Sequence, residues 1–548
     1  MIASPAPETF EEHILEIVDE FLQTVVIVDD RAIETSSEEV TSGEPTEAQP
    51  RSGRGRAVTS LTATPEGGDD HGLDAKAVTD AFAESGLVCS LLSPGPGEDV
   101  ADKFLRAAKR ADLIVLDWVL HQDVGNKTLE LVEKVLAKDN MPDRRRLRTI
   151  VVYTGQKELH DVANRLAVTI DAAYDDCELE RDDDQLAMTK GPVRAAVFAK
   201  EHVSDLPSEL ENRRVAFSEL PKRLRGEFAM LTTGLVTGVA LSALAALRDD
   251  THRILKVLGP KLDPAYLGHR AALSDPEEAS DQTLMLVAAE IRSVIEDNDV
   301  GRNVGLVVLE LWLDSAKRRH LHFGELIDDK KRLTGPQVKA ILAKGLGAKD
   351  GVEAVAAMTG HSKNYFNEKV KPQATKIFSE DEEEAAASDA DFAHRTMMRT
   401  IYSYPPRVLQ LGTIVHAEGR YGLCVQPLCD SVRVPETRNF PFLALEVVDL
   451  DGKPDFVVED HEGPGWVHLR LAGNPRDLYM VAFAPDSGTV VATMTGHVHS
   501  FTDVDSVAHR WIGELKPDFA QRAAFDLAQQ FARIAVDEAE IFRLARRG

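Results

Sequence analysis

"TVVIVDDRA", residues 24–32, drives an apolar run straight into two adjacent carboxylates, Asp29 and Asp30. A buried strand that ends on side-by-side like charges carries repulsion unless something at that spot uses them. Three further stretches share the form: "DLIVLDW" (112–118) reaches Asp117, "RTIVVYTG" (148–155) reaches Thr154 and Gly155, and "RAAVFAK" (194–200) reaches Lys200. Another apolar strand, "LVCSLL", falls at 87–92, and helical periodicity recurs near 74–85, 99–110, 126–138 and 156–166. Apolar strands alternating with helices predict a parallel sheet covered on both faces. In such a sheet the polar residues at the carboxyl ends of the strands converge on one crevice.

The rest of the chain sets bounds on that unit. At 548 residues it exceeds one core. We read an α/β unit over 1–205, with a leading helix at 8–22 and a disordered insertion at about 33–73, where Ser, Thr, Glu, Gly and Pro dominate. A helical domain is expected over 206–378, an acidic linker over 379–391, and a β-rich domain with a C-terminal helix over 392–548. The net charge of −28, from 91 acidic against 63 basic residues, opposes nucleic-acid binding and adhesion to anionic membrane. Four cysteines make no disulfide framework, and the first residues lack a signal-peptide pattern, so a cytoplasmic location is expected. Phe228 to Leu247 is uncharged and near bilayer-spanning length, but its Thr, Ser, Gly and Ala content predicts a buried helix.

The strand-end residues together resemble the receiver domain of two-component response regulators, over roughly residues 24–205. The resemblance implies a flavodoxin-like fold, a parallel five-stranded sheet in the order 2-1-3-4-5. It also implies a Mg²⁺ site made by Asp29, Asp30, Asp117 and the backbone carbonyl of Val119. Asp117 would be the phosphoacceptor, with Thr154 and Lys200 contacting the phosphoryl group. The chain departs from the pattern after Lys200, where Glu201 replaces the usual proline, and at Val197, which stands in the aromatic switch position. Lys190 is the fallback for the lysine. Val119 and Gln156, two residues beyond Asp117 and Thr154, flank the path of hydrolytic water, and an apolar Val119 predicts slow loss of the phosphoryl group.

The β-rich tail, including "YGLCVQPLCDSVRV" and "RWIGELKPDFAQRAAFDLAQQFARIAVDE", is similar to receiver proteins of bacterial anti-phage defensive two-component systems of the Detocs type. That likeness implies a phosphate-buffering partner of a histidine kinase, beside a second receiver-effector protein, with self-association open. The chain reads as a phosphoacceptor rather than a dedicated enzyme. Two other classes stay open. Residues 354–372, with Lys363, Lys369 and Lys371, loosely match a DNA-binding helix-turn-helix, although a packing helix pair is preferred. A receiver-gated enzyme would need His416, His468, His497 or Cys424 to converge with carboxylates in one cleft.

Overall fold

The computed structural model describes residues 7–31, 75–95, 99–139, 145–315, 333–402, 406–449, 453–472 and 477–531. The insertion expected at about 33–73 lies outside them. The chain forms two compact units, 1–319 and 320–548.

In the first unit, α1 (Phe10–Phe21) leads into β1 (Thr24–Val28), followed by α2 (Ala75–Glu84), β2 (Val88–Leu92), α3 (Ala101–Ala108) and β3 (Leu113–Leu116). A small hairpin of β4 (Val119–Leu120) and β5 (Asp123–Val124) precedes α4 (Asn126–Lys138), β6 (Arg148–Thr154) and α5 (Leu159–Asp171). A second hairpin, β7 (Leu179–Arg181) and β8 (Ala187–Lys190), precedes β9 (Val193–Lys200) and the short β10 (Arg214–Val215). Helices α6 (Leu220–Thr232), α7 (Leu235–Asp249), α8 (Thr251–Val257), α9 (Asp263–Ala272), α10 (Glu278–Asp297) and α11 (Leu306–Asp314) complete the unit.

The sheet runs β2-β1-β3-β6-β9-β8-β7, with β10 also on β9. Neighbours from β2 to β9 pair in parallel, whereas β8 pairs antiparallel to both β9 and β7. The sheet is therefore eight-stranded and mixed, because β7, β8 and β10 extend the run of parallel strands beyond the five expected. The acidic segment before β9 had no strand-like alternation in sequence. It becomes a hairpin because ion pairs hold it: Arg194 on β9 binds Asp182 and Glu227, each at 2.6 Å, and Arg213 binds Asp184 at 2.6 Å.

Side chains alternate across the sheet as a pleat requires. Val26, Val28, Ile114 and Leu116 face a core closed by Phe104 of α3, Leu131 of α4 and Leu166 of α5. Val25, Ile27, Leu113 and Val115 face a second core closed by Ile14 and Ile17 of α1, Phe82 of α2, and Leu224 and Phe228 of α6. Helix α6, with Leu241 of α7 and Val308 of α11, thus belongs to the packing of the α/β unit although it follows residue 205. Arg248 of α7 reaches the same layer, bonding the Phe21 carbonyl at 2.8 Å and Asp112 at 3.0 Å.

The uncharged run from Phe228 is broken between α6 and α7, where Thr233 and Gly234 leave the helical conformation. It is two helices rather than one, with Leu241 and Ala245 buried while Val236 and Leu244 face solvent. No helix among the described residues is long and apolar enough to cross a membrane.

The second unit opens with α12 (Gly335–Lys344), α13 (Lys349–Thr359) and α14 (Glu382–Met397). The 379–391 run, expected as a solvated linker, mostly lies in α14. Asp381 caps that helix by accepting the Glu384 N–H at 2.8 Å, and three glutamates in its first turn suit the positive end of the helix dipole. An antiparallel sheet follows, built from β11 (Thr413–Ala417), β12 (Arg420–Cys424), β13 (Arg438–Val447) after the one-turn α15 (Leu428–Ser431), β14 (Phe456–Glu459), β15 (Trp466–Leu471), β16 (Leu478–Phe483), β17 (Thr493–Thr495), β18 (Val498–Thr502) and β19 (Ala508–Glu514). The long β13 pairs with β12, β15 and β16. Helix α16 (Pro517–Phe531) follows the sheet.

Because α6 closes one face of the α/β sheet, a fragment ending at residue 205 should bind a hydrophobic dye and lose cooperative melting. A fragment of residues 1–319 should melt in one transition. In the full chain, Phe228→Ala should cost about 3–5 kcal/mol in urea unfolding, since it empties a fully buried position.

Candidate functional site

The carboxyl ends of β1, β3, β6 and β9 lie side by side, with Val28 level with Leu116 and Leu116 level with Val152. The ladder continues one step past the strands. Asp29 donates its N–H to the Leu92 carbonyl at 3.1 Å, and Asp117 donates to the Val28 carbonyl at 2.9 Å. Backbone pairing thereby delivers both carboxylates to the same point, where Asp29 is 2% and Asp117 5% exposed. Carboxylate oxygens of Asp29, Asp30 and Asp117 all lie within 4.8 Å of one another. Among the described residues this is the one group of three or more His, Cys, Asp or Glu side chains arranged to hold a metal.

Lys200 resolves most of the repulsion. Its Nζ sits 2.7 Å from Asp29 Oδ2 and 2.8 Å from Asp117 Oδ1, so one buried ammonium bridges both acids. The second oxygens are held by backbone: the Arg31 N–H donates to Asp29 Oδ1 at 2.9 Å and the Val119 N–H donates to Asp117 Oδ2 at 3.2 Å. Asp30 differs. Its Oδ2 accepts the His121 N–H at 2.5 Å, while its Oδ1 is buried with no hydrogen-bond partner. An orphaned, buried carboxylate oxygen beside two other acids is chemistry that suits a hard divalent cation.

Thr154 is fully buried at the end of β6, and its Oγ1 accepts the Gln156 N–H at 3.0 Å. A side chain at the next residue would crowd the site's edge, because a Cβ on Gly155 would stand 3.3 Å from His202 Nε2. Lys190, the alternative lysine, is bound to Asp171 at 2.6 Å and pairs with Val193 at the opposite end of β9. Val197 and Phe198 point to opposite cores, and the Arg213 guanidinium lies 5.4 Å from the Phe198 ring centre. Phe198 is thus packed away from the crevice that holds Lys200.

Sequence pattern missed His121 and Thr128. Thr128 of α4 donates to the Asp117 carbonyl at 2.7 Å, holding the strand end from beneath. Gly125 follows the β4–β5 hairpin at φ 89°, and a Cβ there would fall 2.2 Å from the buried Trp118 ring, so only glycine fits. His121 lies on no apolar period and only the folded loop brings it to the acids, whereas Thr128 stands one turn before Leu131 and Val132 on the buried face of α4, where its polar side chain interrupts the apolar pattern.

Burial raises the Asp117 carboxyl to about 6, with Lys200 pulling it down and Asp29 pushing it further up. Burial would depress the Lys200 ammonium, but Asp117 and Asp29 outweigh it and hold the group above its ordinary value.

The other candidates do not assemble a site of this kind. Cys424 is buried, with its thiol pushed up by desolvation, and Cys429 is exposed. His416 bonds His461 at 3.1 Å, and His461 in turn meets the Tyr421 hydroxyl at 3.2 Å. In the 354–372 segment Tyr365, Phe366 and Val370 are buried, and Lys363 pairs with Glu353 at 2.7 Å.

Residues 21–205 match the family model of the response receiver domain, so the N-terminal part of the chain is a receiver domain. Domains of that family are the receivers of two-component response regulators, and the match covers about a third of the chain. No curated protein and no solved structure matches the chain.

With a chelator present, the Asp117 carboxyl makes a signed prediction. Between its ordinary value of 3.8 and about 6 the folded chain holds a proton that the unfolded chain releases. Stability is therefore lost as pH rises through that window. Asp117→Asn should be more stable than the wild type at pH 7, by about 3 kcal/mol, and nearly equal to it at pH 4. Thermal unfolding at the two pH values measures the difference.

Proposed function

We propose that the chain is a phosphoacceptor that takes a phosphoryl group from a partner histidine kinase onto Asp117. The observation that carries this reading is Lys200 bridging Asp29 and Asp117 beside the unpaired Asp30 oxygen. In this reading an Asp117 oxygen attacks phosphohistidine phosphorus. The P–O bond forms as the P–N bond breaks, and the imidazole leaves with the electron pair and takes up a proton. Asp29, Asp30, Asp117 and the Val119 carbonyl would hold Mg²⁺, which when bound neutralises charge on the phosphoryl oxygens. Lys200 would exchange its bond to Asp117 for one to a phosphoryl oxygen, and the Thr154 hydroxyl would donate to another. Both changes alter contacts at strand ends, so the same residues that stabilise the modified state also report it.

The particular role we favour is phosphate buffering in a bacterial anti-phage two-component system. It is supported by the likeness of the β-rich tail to the buffering partner of Detocs-type systems. In this role a long-lived phosphoryl group is useful, and the apolar, half-buried Val119 offers no group to orient attacking water.

Intact mass after incubation with a small phosphodonor and Mg²⁺ tests the chemistry. A gain of one phosphoryl group is expected, absent in Asp117→Asn and in chelator; no gain with donors or candidate kinases would remove the reading. The phosphoryl half-life should be minutes or longer, and decay within seconds would contradict the part given to Val119. For the buffering role, adding this chain to a kinase and its second receiver should lower phosphoryl incorporation into that receiver.

A further inference from the structure

We propose that His121 is a positioning residue for the cation site, setting which oxygen of Asp30 faces the metal. The inference rests on the phosphoacceptor reading and deepens it. Asp30 Oδ2 is engaged twice by one residue: the His121 N–H donates to it at 2.5 Å, and the His121 imidazole Nδ1 lies 3.3 Å away. The other oxygen, Oδ1, is buried and unpartnered. A carboxylate tied through one oxygen in this way loses freedom to turn, which leaves the buried, unpartnered Oδ1 as the oxygen open to a cation. Partners of this sort behind a metal ligand typically contribute 10–100-fold to affinity, roughly 1–3 kcal/mol.

The local backbone explains how one residue supplies both contacts. His121 and Gln122 are the two loop residues of the β4–β5 hairpin, with φ of 55° and 64°. Two-residue hairpins of positive φ are ordinarily filled by Asn-Gly, and a histidine there is strained. The strain is offset by anchoring on both sides. Arg165 of α5 bonds the Val124 carbonyl at 2.8 Å and Asn126 at 3.0 Å, while its guanidinium lies 4.9 Å from the Trp118 ring centre. The hairpin is therefore fastened to α5 on its outer side and to Asp30 on its inner side.

The turn chemistry supplies a pair of variants that separates the ring from the backbone. His121→Gly removes the imidazole, relieves the turn and keeps the N–H donor. His121→Asn tolerates positive φ and restores a short side-chain donor. Free Mn²⁺ measured by electron paramagnetic resonance during titration of the full chain gives cation affinity without any phosphoryl transfer, with Mg²⁺ competition to confirm the site. The expected result is about tenfold weaker Mn²⁺ binding for His121→Gly and recovery to within about threefold of wild type for His121→Asn. Affinity for His121→Gly within twofold of wild type would overturn the proposal while leaving the acid site intact. Equal weakening in both variants would also overturn it, because the loss would then not follow the side-chain donor. Wild-type protein that binds no Mn²⁺, or binds it equally well as Asp30→Asn, would instead remove the cation site itself and the part given to His121 with it.

Discussion

Three carboxylates in a nearly dry crevice can coexist only because Lys200 stands between two of them. Coulomb repulsion at such separations amounts to several kcal/mol even at the effective dielectric of a protein surface. One ammonium shared by Asp29 and Asp117 leaves the cluster two charges short of neutrality, which is the deficit a divalent cation would fill. The fold is arranged around that compromise. β1 and β3 carry the acids, β9 brings the lysine across the sheet, and backbone N–H groups of Arg31 and Val119 secure the oxygens that Lys200 does not reach.

The architecture outside the site follows from keeping β9 in place. Its outer side is occupied by β8 along Val193 to Ala196 and by β10 at Ala199 and Lys200. The buried charges of Arg194 and Arg213 link this added layer to Glu227 of α6. Such pairs add little net stability when compared with apolar packing, but losing one partner is costly because the other stays buried. They therefore define where the hairpin docks more than how tightly it holds. Helix α6 is part of the same arrangement, since Leu220, Leu224 and Phe228 supply core that the sheet would otherwise lack.

What could be read from the sequence was whatever depends on local pattern. "TVVIVDD", "DLIVLDW" and "RAAVFAK" announce buried strands, and their terminal Asp and Lys residues do meet. Thr154 ends its strand as its stretch suggested. Hidden features depend on partners distant in the chain. The β7–β8 hairpin was obscured by a run of acids whose partners, Arg194 and Arg213, lie outside the run, 12 and 29 positions from Asp182 and Asp184. The start of α14 looked like a charged linker because its glutamates are read as solvated until Asp381 is recognised as a cap. Two short helices passed for one because Thr233 and Gly234 are weak breakers inside an apolar run. His121 carried no signal, since its importance arises from a turn that aims its N–H at Asp30, 91 positions earlier.

That long separation is more extreme for Lys200 and Asp29, which are 171 positions apart. A chain emerging from the ribosome has its acidic pair long before it has the lysine that makes the pair tolerable. Until β9 is synthesised and seated, the acids have no buried counterion and every reason to stay in water. The crevice can therefore close only on a nearly finished domain, so incomplete or truncated chains would present separated carboxylates rather than a competent acceptor. Assembly of the site is therefore a late event in folding, since contacts of long sequence separation are slow to form.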